Sequence, residues 1–223
     1  MACTLRVDDF PGTKPAEFWR HNLESFKLFD EVLADHVSNY VLGVIPRHTT
    51  QEQIDWLAEN PRVEAALHGI LHDEKYLDEF KEFETEDDIY RKIMSTIPRL
   101  QNINGSGRIT SYIAPHNVIS LKTAKALKRA GFTTLFSGPG ADSKVINVIE
   151  KESILEVKTS QFPYFYGRTD EIMKCPEFEE YYADASALPG YALTLHFPWE
   201  TNIGFEHLET FMKKVGYAFW SES

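Results

Sequence analysis

The chain has 223 residues, of which 43% are hydrophobic, and carries a formal charge of −11. That length suits one well-packed domain over 1–223 and is short for two. No Lys/Arg cluster offers a basic face and no apolar run nears the ~18 residues that cross a bilayer, so nucleic-acid and membrane partners are excluded, and neutral or cationic substrates fit better.

The N-terminus, MACTLRVDDF, lacks the basic and apolar regions of a secretory signal, so a cytoplasmic location is expected. Cys3 and Cys175 are too few for a disulfide framework and are expected to be reduced. The first strand is expected over Thr4–Val7. Phe18, Leu23, Phe26, Phe29 and Leu33 then recur at helical spacing across roughly 15–35. A strand at Tyr40–Ile45 precedes a capped helix over Gln51–Asn60, and another strand covers Val63–Leu67. The acidic stretch Asp73–Asp88 carries Tyr76, Phe80 and Phe83 at helical spacing and reads as a short amphipathic helix with a solvated face. It lacks the ligand alternation and mid-loop glycine of a calcium loop.

Ile89, Ile93, Ile97 and Leu100 mark a further helix. A strand at Ile109–Ala114 and a helix over Ser120–Ala130, stopped by Gly131, come next. Strands are expected at Thr133–Phe136, Ser153–Val157 and Ala192–Leu195, with a final helix around Phe205–Met212. Ser137-Gly138-Pro139-Gly140 lacks the lysine of a phosphate loop and reads as a turn. Strands alternating with helices over short connections argue for a parallel sheet, either a small (β/α) barrel or an open doubly wound sheet.

The unusual polar residues follow the strands. Asp8 and Asp9 come after the first, His68 and His72 after Val63–Leu67, His116 and Asn117 after Ile109–Ala114, and His196 after Ala192–Leu195. Strand C-termini gather on one face in parallel α/β folds, and that face carries the active site. His68-Gly69-Ile70-Leu71-His72 places two imidazoles at i and i+4, the spacing of two metal ligands on one helical turn. Gly69 stands where a metalloprotease needs its glutamate. A third ligand from Asp8-Asp9 would complete a site with one position open, leaving the other carboxylate to act as a base. His21, His36, His48 and His207 fall on helices or loops and read as surface or structural.

Taken together, these residues resemble the polysaccharide deacetylases, the NodB-like carbohydrate esterases of family 4. LRVDDFPG resembles their TFDDGP-type first motif and HGILH their second, H-(S/T)-x-x-H. Ile113-Ala114-Pro115-His116 sits where R-P-P-Y/F belongs, and LTLH, ending at His196, resembles their last motif. The four motifs run in family order from residue 8 to 196.

The resemblance implies a distorted (β/α) barrel of seven or eight strands. It also implies one divalent metal ion, zinc by family habit, with cobalt or nickel in some members. Asp8 then matches the base, Asp9, His68 and His72 the metal ligands, and His196 the general acid. Pro115 and His116 match the oxyanion region, and Trp199, Tyr164 and Tyr166 are candidates to line a substrate cleft. The implied reaction is removal of acetyl groups from N- or O-acetylated sugars. Hydrolysis of a non-sugar amide or cyclic imide on the same barrel is the first alternative, and an inactive glycan-binding barrel the second. Oligomeric state is not readable.

Four departures stand out. Gly69 replaces the hydroxyl residue between the metal histidines. Ile113 replaces the third-motif arginine that orients the base, with Arg6 or Arg168 as possible substitutes. His116 replaces Tyr/Phe. The aspartate–tryptophan motif has no clear counterpart.

Overall fold

Seven strands form one parallel sheet: β1 (Thr4–Phe10), β2 (Tyr40–Val44), β3 (Val63–Leu67), β4 (Ser111–Ile113), β5 (Thr134–Ser137), β6 (Glu156–Thr159) and β7 (Ala192–His196). Their order is β6-β5-β4-β3-β2-β1-β7, and the sheet curls into a (β/α)7 half-barrel. The computed structural model describes residues 4–13, 22–72, 78–100, 102–105, 107–138, 140–159, 168–174 and 192–215. Among them, no helix is long and apolar enough to cross a membrane.

The period of two along each strand divides the sheet into two faces. Leu5, Val7, Leu42, Val44, Ala65, Leu67, Tyr112, Leu135, Leu193 and Leu195 join the main core. The other face holds a small cluster of Val41, Ala66, Ile113 and Phe136. Arg6 and Asp8 alternate with Leu5 and Val7, so they share the inner face with their register partners Thr194 and His196.

The helices follow from their caps and apolar spacing. In α1 (Leu23–Ala34), Asn22 accepts the Ser25 N–H, and Phe26, Phe29 and Leu33 turn inward. Phe26 and Phe29 pack with Phe10 and Phe197, where each buried ring is worth about 1.5–3 kcal/mol of transfer. A Thr50–Gln53 capping box opens α2 (Gln51–Glu59). Thr85 caps α3 (Glu86–Thr96), whose first turn carries Glu86, Asp87 and Asp88 at the positive end of the helix dipole. Ser120 caps α4 (Leu121–Arg129). The remaining helices are α5 (Ser143–Lys151), α6 (Thr169–Ile172), α7 (Phe197–Ile203) and α8 (Phe205–Val215). The fully buried Glu200 on α7 accepts the Thr169 N–H at 3.0 Å and the Thr169 hydroxyl at 2.6 Å, which ties α6 to α7.

Several expectations need correction. The first helix begins at Leu23, and Phe18 lies outside the described residues. Of the helix expected over Asp73–Asp88, only Glu86, Asp87 and Asp88 are helical among the described residues, as the first turn of α3, and residues 78–84 form turns and bends. Glu82, Glu84 and Asp87 are exposed, as a solvated face requires, but two acids of the stretch turn inward. Asp78 is buried and accepts the N–H groups of Phe80 and Ser120, and Glu79 folds onto a neighbouring loop. Backbone donors recruited these carboxylates, which the helical pattern of aromatics could not reveal. The sixth strand starts three residues late because Ser153 turns at φ 50 and Ile154 still bonds back to Ile149. Cys3, Cys175, His21, Tyr76, Pro139, Tyr164 and Tyr166 lie outside the described residues.

Candidate active site

The end of β1 resolves the paired aspartates. The β1–β2 register slips between Val7 and Phe10, and Asp9 takes φ 67, a left-handed conformation that few residues other than Asn, Asp and Gly adopt. Asp8 keeps its place on the inner face while the irregularity re-aims Asp9. The two carboxylates therefore serve different partners.

Asp9 faces the histidines that follow β3. Its Oδ1 lies 3.0 Å from His68 Nε2 and 3.3 Å from His72 Nε2, and the two rings sit 4.8 Å apart. One ligand atom from each of Asp9, His68 and His72 falls within 4.8 Å of the others. The histidines do not meet on a helical turn, as their spacing suggested. Residues 68–72 form a loop in which Gly69 has φ +64 and His72 φ 50. A Cβ on Gly69 would fall 2.2 Å from Glu79 Oε2, so no hydroxyl residue fits there as the loop stands.

The donor set suits a divalent ion. His68 Nδ1 faces the Ile113 carbonyl at 3.1 Å and must carry a hydrogen to bond it. Its Nε2 then meets a carboxylate oxygen, which requires a proton or a cation between them. Two imidazole nitrogens and one carboxylate oxygen match a catalytic zinc set with an open position.

Burial alone would raise both aspartates, yet Arg6 and the surrounding histidines hold Asp8 below the usual carboxylate range. The His68 hydrogen bond and the nearby imidazoles hold Asp9 well below it. Burial pushes His68 down, but Asp8 and Asp9 outweigh it and the net shift is upward. His72 is pushed down to about 4 by burial and by the charge of His68.

Asp8 has its own cation. The buried Arg6 donates from Nε to Asp8 Oδ1 at 2.7 Å and from Nη2 to Oδ2 at 2.5 Å. Nη1 and Nη2 also reach Asn117 Oδ1 at 3.3 and 3.2 Å, and Nη1 reaches the Ser137 carbonyl at 3.2 Å. Asn117 has φ 59, and a Cβ on Gly138 would come within 2.9 Å of its Oδ1. Of Arg6 and Arg168, Arg6 is the one that pairs with Asp8. Arg168 instead pairs with Asp170 and Glu171 at the start of α6. Ile113 points into the small apolar cluster of the inner face.

His196 is the β7 register partner of Asp8. Burial lowers its pKa against the pull of Asp9 and Asp8. Trp199, one turn into α7, stacks on it with ring centroids 3.9 Å apart and planes 18° apart. At least one indole face is therefore taken by an imidazole. Pro115 and His116 follow β4. His116 has φ 53, its ring lies 4.8 Å from that of His72, and its buried Nε2 has no hydrogen-bond partner among the described residues. Sequence reasoning missed Asn117 and Gly138 as supports of Arg6, and it missed Glu79. None of the three belongs to a motif.

No protein-family profile and no curated protein sequence matches the chain. Solved structures do. A Mycobacterium smegmatis protein assigned as a polysaccharide deacetylase superposes with a TM-score of 0.64 at 17% identity, covering 96% of this chain and 83% of its own. A family 4 carbohydrate esterase from Streptomyces lividans, solved with acetate, gives 0.55 at 10% identity, covering 97% and 86%. The 4-α-glucanotransferase of Thermococcus litoralis gives 0.61 at 11% identity but covers 96% of this chain and only 37% of its own. Fold likeness to two different activities leaves function to the site. The chain has the fold of the NodB-like polysaccharide deacetylases.

Proposed function

We propose that this chain, read as one domain over 1–223, is a metal-dependent deacetylase acting on N- or O-acetylated sugars. The observation that carries this reading is the separation of the two aspartates, with Asp9 turned to His68 and His72 and Asp8 held by Arg6 opposite His196. A divalent ion on Asp9, His68 and His72, zinc by family habit, would polarise the acetyl carbonyl and lower the pKa of a bound water.

The chain's own residues handle the protons. Asp8, kept ionised by Arg6, takes the proton of the attacking water. The backbone N–H of His116 donates to the developing oxyanion, a contribution of the kind worth about 3–4 kcal/mol per donor. His196 gives its proton to the leaving nitrogen or oxygen. An imidazole with a lowered pKa is a strong acid once protonated, so it gives up that proton readily. Trp199 fixes the imidazole plane by stacking.

The test is acetate release from chitin oligomers, peptidoglycan fragments and acetylated xylan, run beside small amides and cyclic imides. Acetate release that Asp8→Asn abolishes, with metal still bound, is expected. Hydrolysis of only the amides or imides would move the chain to the first alternative. Glycan binding with no turnover on any substrate would make it the inactive barrel.

A further inference from the structure

Glu79 follows His72 by seven residues, and its carboxylate folds back onto the histidine loop. Oε1 accepts the N–H groups of Ile70 at 2.7 Å and Leu71 at 3.0 Å. Oε2 accepts those of Ile70 at 2.9 Å and His72 at 3.0 Å. Three consecutive N–H groups converging on one anion form a nest. Residues 68–72 belong to no helix or strand, so these bonds satisfy loop amides that no ladder serves.

The same carboxylate accounts for Gly69. A Cβ there would lie 2.2 Å from Glu79 Oε2 and 2.8 Å from Pro115 Cγ, and φ +64 already disfavours a side chain. With Glu79 seated here, a residue without a Cβ is needed at position 69. The small residue opens the space and the carboxylate fills it.

Resting on the reading of Asp9, His68 and His72 as a metal centre, we propose that Glu79 is a positioning residue. From outside the motif, its carboxylate fixes the loop and so aims both imidazoles at Asp9. It does the work that the second-motif hydroxyl would otherwise share. Partners behind metal ligands typically change affinity 10–100-fold when lost.

The experiment measures zinc affinity of the full chain by competition with a chromophoric chelator. Glu79→Gln keeps the shape but sets an NH₂ group against backbone donors, and it should weaken zinc binding 10–100-fold. Activity lost at limiting zinc should return with excess zinc. Asp78→Asn, beside it in sequence, serves as control, because its carboxylate bonds Phe80 and Ser120 and not the histidine loop. It should lower the melting temperature and leave zinc affinity unchanged.

Amide hydrogen exchange on the wild-type chain needs no variant to fold. The N–H groups of Ile70, Leu71 and His72 should be protected. Exchange of these amides at open-loop rates, or zinc affinity in Glu79→Gln equal to wild type, would overturn the Glu79 proposal alone. A wild-type chain that takes up no zinc would overturn the metal reading and this proposal with it.

Discussion

Arg6 and Asp8, two residues apart on β1, face each other as a bidentate ion pair with both side chains buried. The strand's period of two makes this possible, since residues i and i+2 share a face. The cation that orients the proposed base therefore comes from the same strand as the base. The third-motif position that would otherwise supply it holds Ile113, packed among apolar side chains.

Arg6→Lys should retain zinc binding and lose about 10²-fold in kcat with KM little changed. A lysine is a point charge that cannot grip both carboxylate oxygens, and small misplacement of a reacting group costs about that much. Arg6→Ala strands a buried carboxylate and should cost about 3–5 kcal/mol of stability. Steady-state kinetics and denaturant melts read the two effects. Full kcat in Arg6→Lys would show that the pair does not orient the base.

Metal removal should destabilise the fold. An ion that binds only the native state adds about 2.7 kcal/mol at 100 times its Kd. Zinc should raise the melting temperature, a chelator should reverse the rise, and His68→Ala should abolish it. A melting curve insensitive to zinc in the wild type would count against the site.

Gly43→Ala tests the site from behind. Gly43 lies in β2 with ordinary strand geometry, yet a Cβ there would sit 3.1 Å from Ile113 Cδ1 and 3.2 Å from His68 Cβ and Cγ. The added methyl should push His68 by a few tenths of an ångström and weaken zinc binding about tenfold, at the low end of what support behind a ligand is worth. Chelator competition reads the change. Unchanged affinity would mean that His68 is held less rigidly than its packing implies.

Glu200 should impose a pH dependence of its own. Burial pushes its carboxyl from an ordinary 4.5 up to about 7, against the two Thr169 hydrogen bonds. Between those values the folded chain holds a proton that the unfolded chain has released. Stability contributed at low pH is therefore lost as pH rises from 4.5 to about 7, by about 3 kcal/mol in all. Glu200→Gln can keep both contacts, because its oxygen accepts the Thr169 N–H and its NH₂ donates to the hydroxyl. The difference in stability between the two proteins should open across that window in favour of the glutamine. Parallel curves would show that Glu200 does not titrate there. Asp8 and Asp9 act oppositely, since depressed carboxyls lose their stabilising effect as pH falls through the acid range.

Much of this architecture was legible in the residues. Alternating apolar runs announced the seven strands, and the polar residues at the C-terminal ends of four of them announced one face, although Asp8, Asp9 and His196 belong to the strands themselves. Val63–Leu67 was bounded correctly by pattern alone. Helix α5 was missed although Asp142 caps it and Val145, Ile146, Val148 and Ile149 follow the spacing of an apolar helix face. HGILH announced two ligands but not their backbone, since i and i+4 can also meet in a loop turned by Gly69.

By itself, then, the sequence determined the order of strands and helices and which titratable groups stand at strand ends. Both follow from local periodicity and chain direction. Only the tertiary structure decided which aspartate faces the histidines, because that choice rests on one left-handed residue where the β1–β2 register slips. It alone matched Arg6 to Asp8 and Glu79 to the histidine loop. Those pairings depend on which buried charges and loop amides come into contact once the chain closes, and a buried charge or unpaired N–H is too costly to leave without its partner.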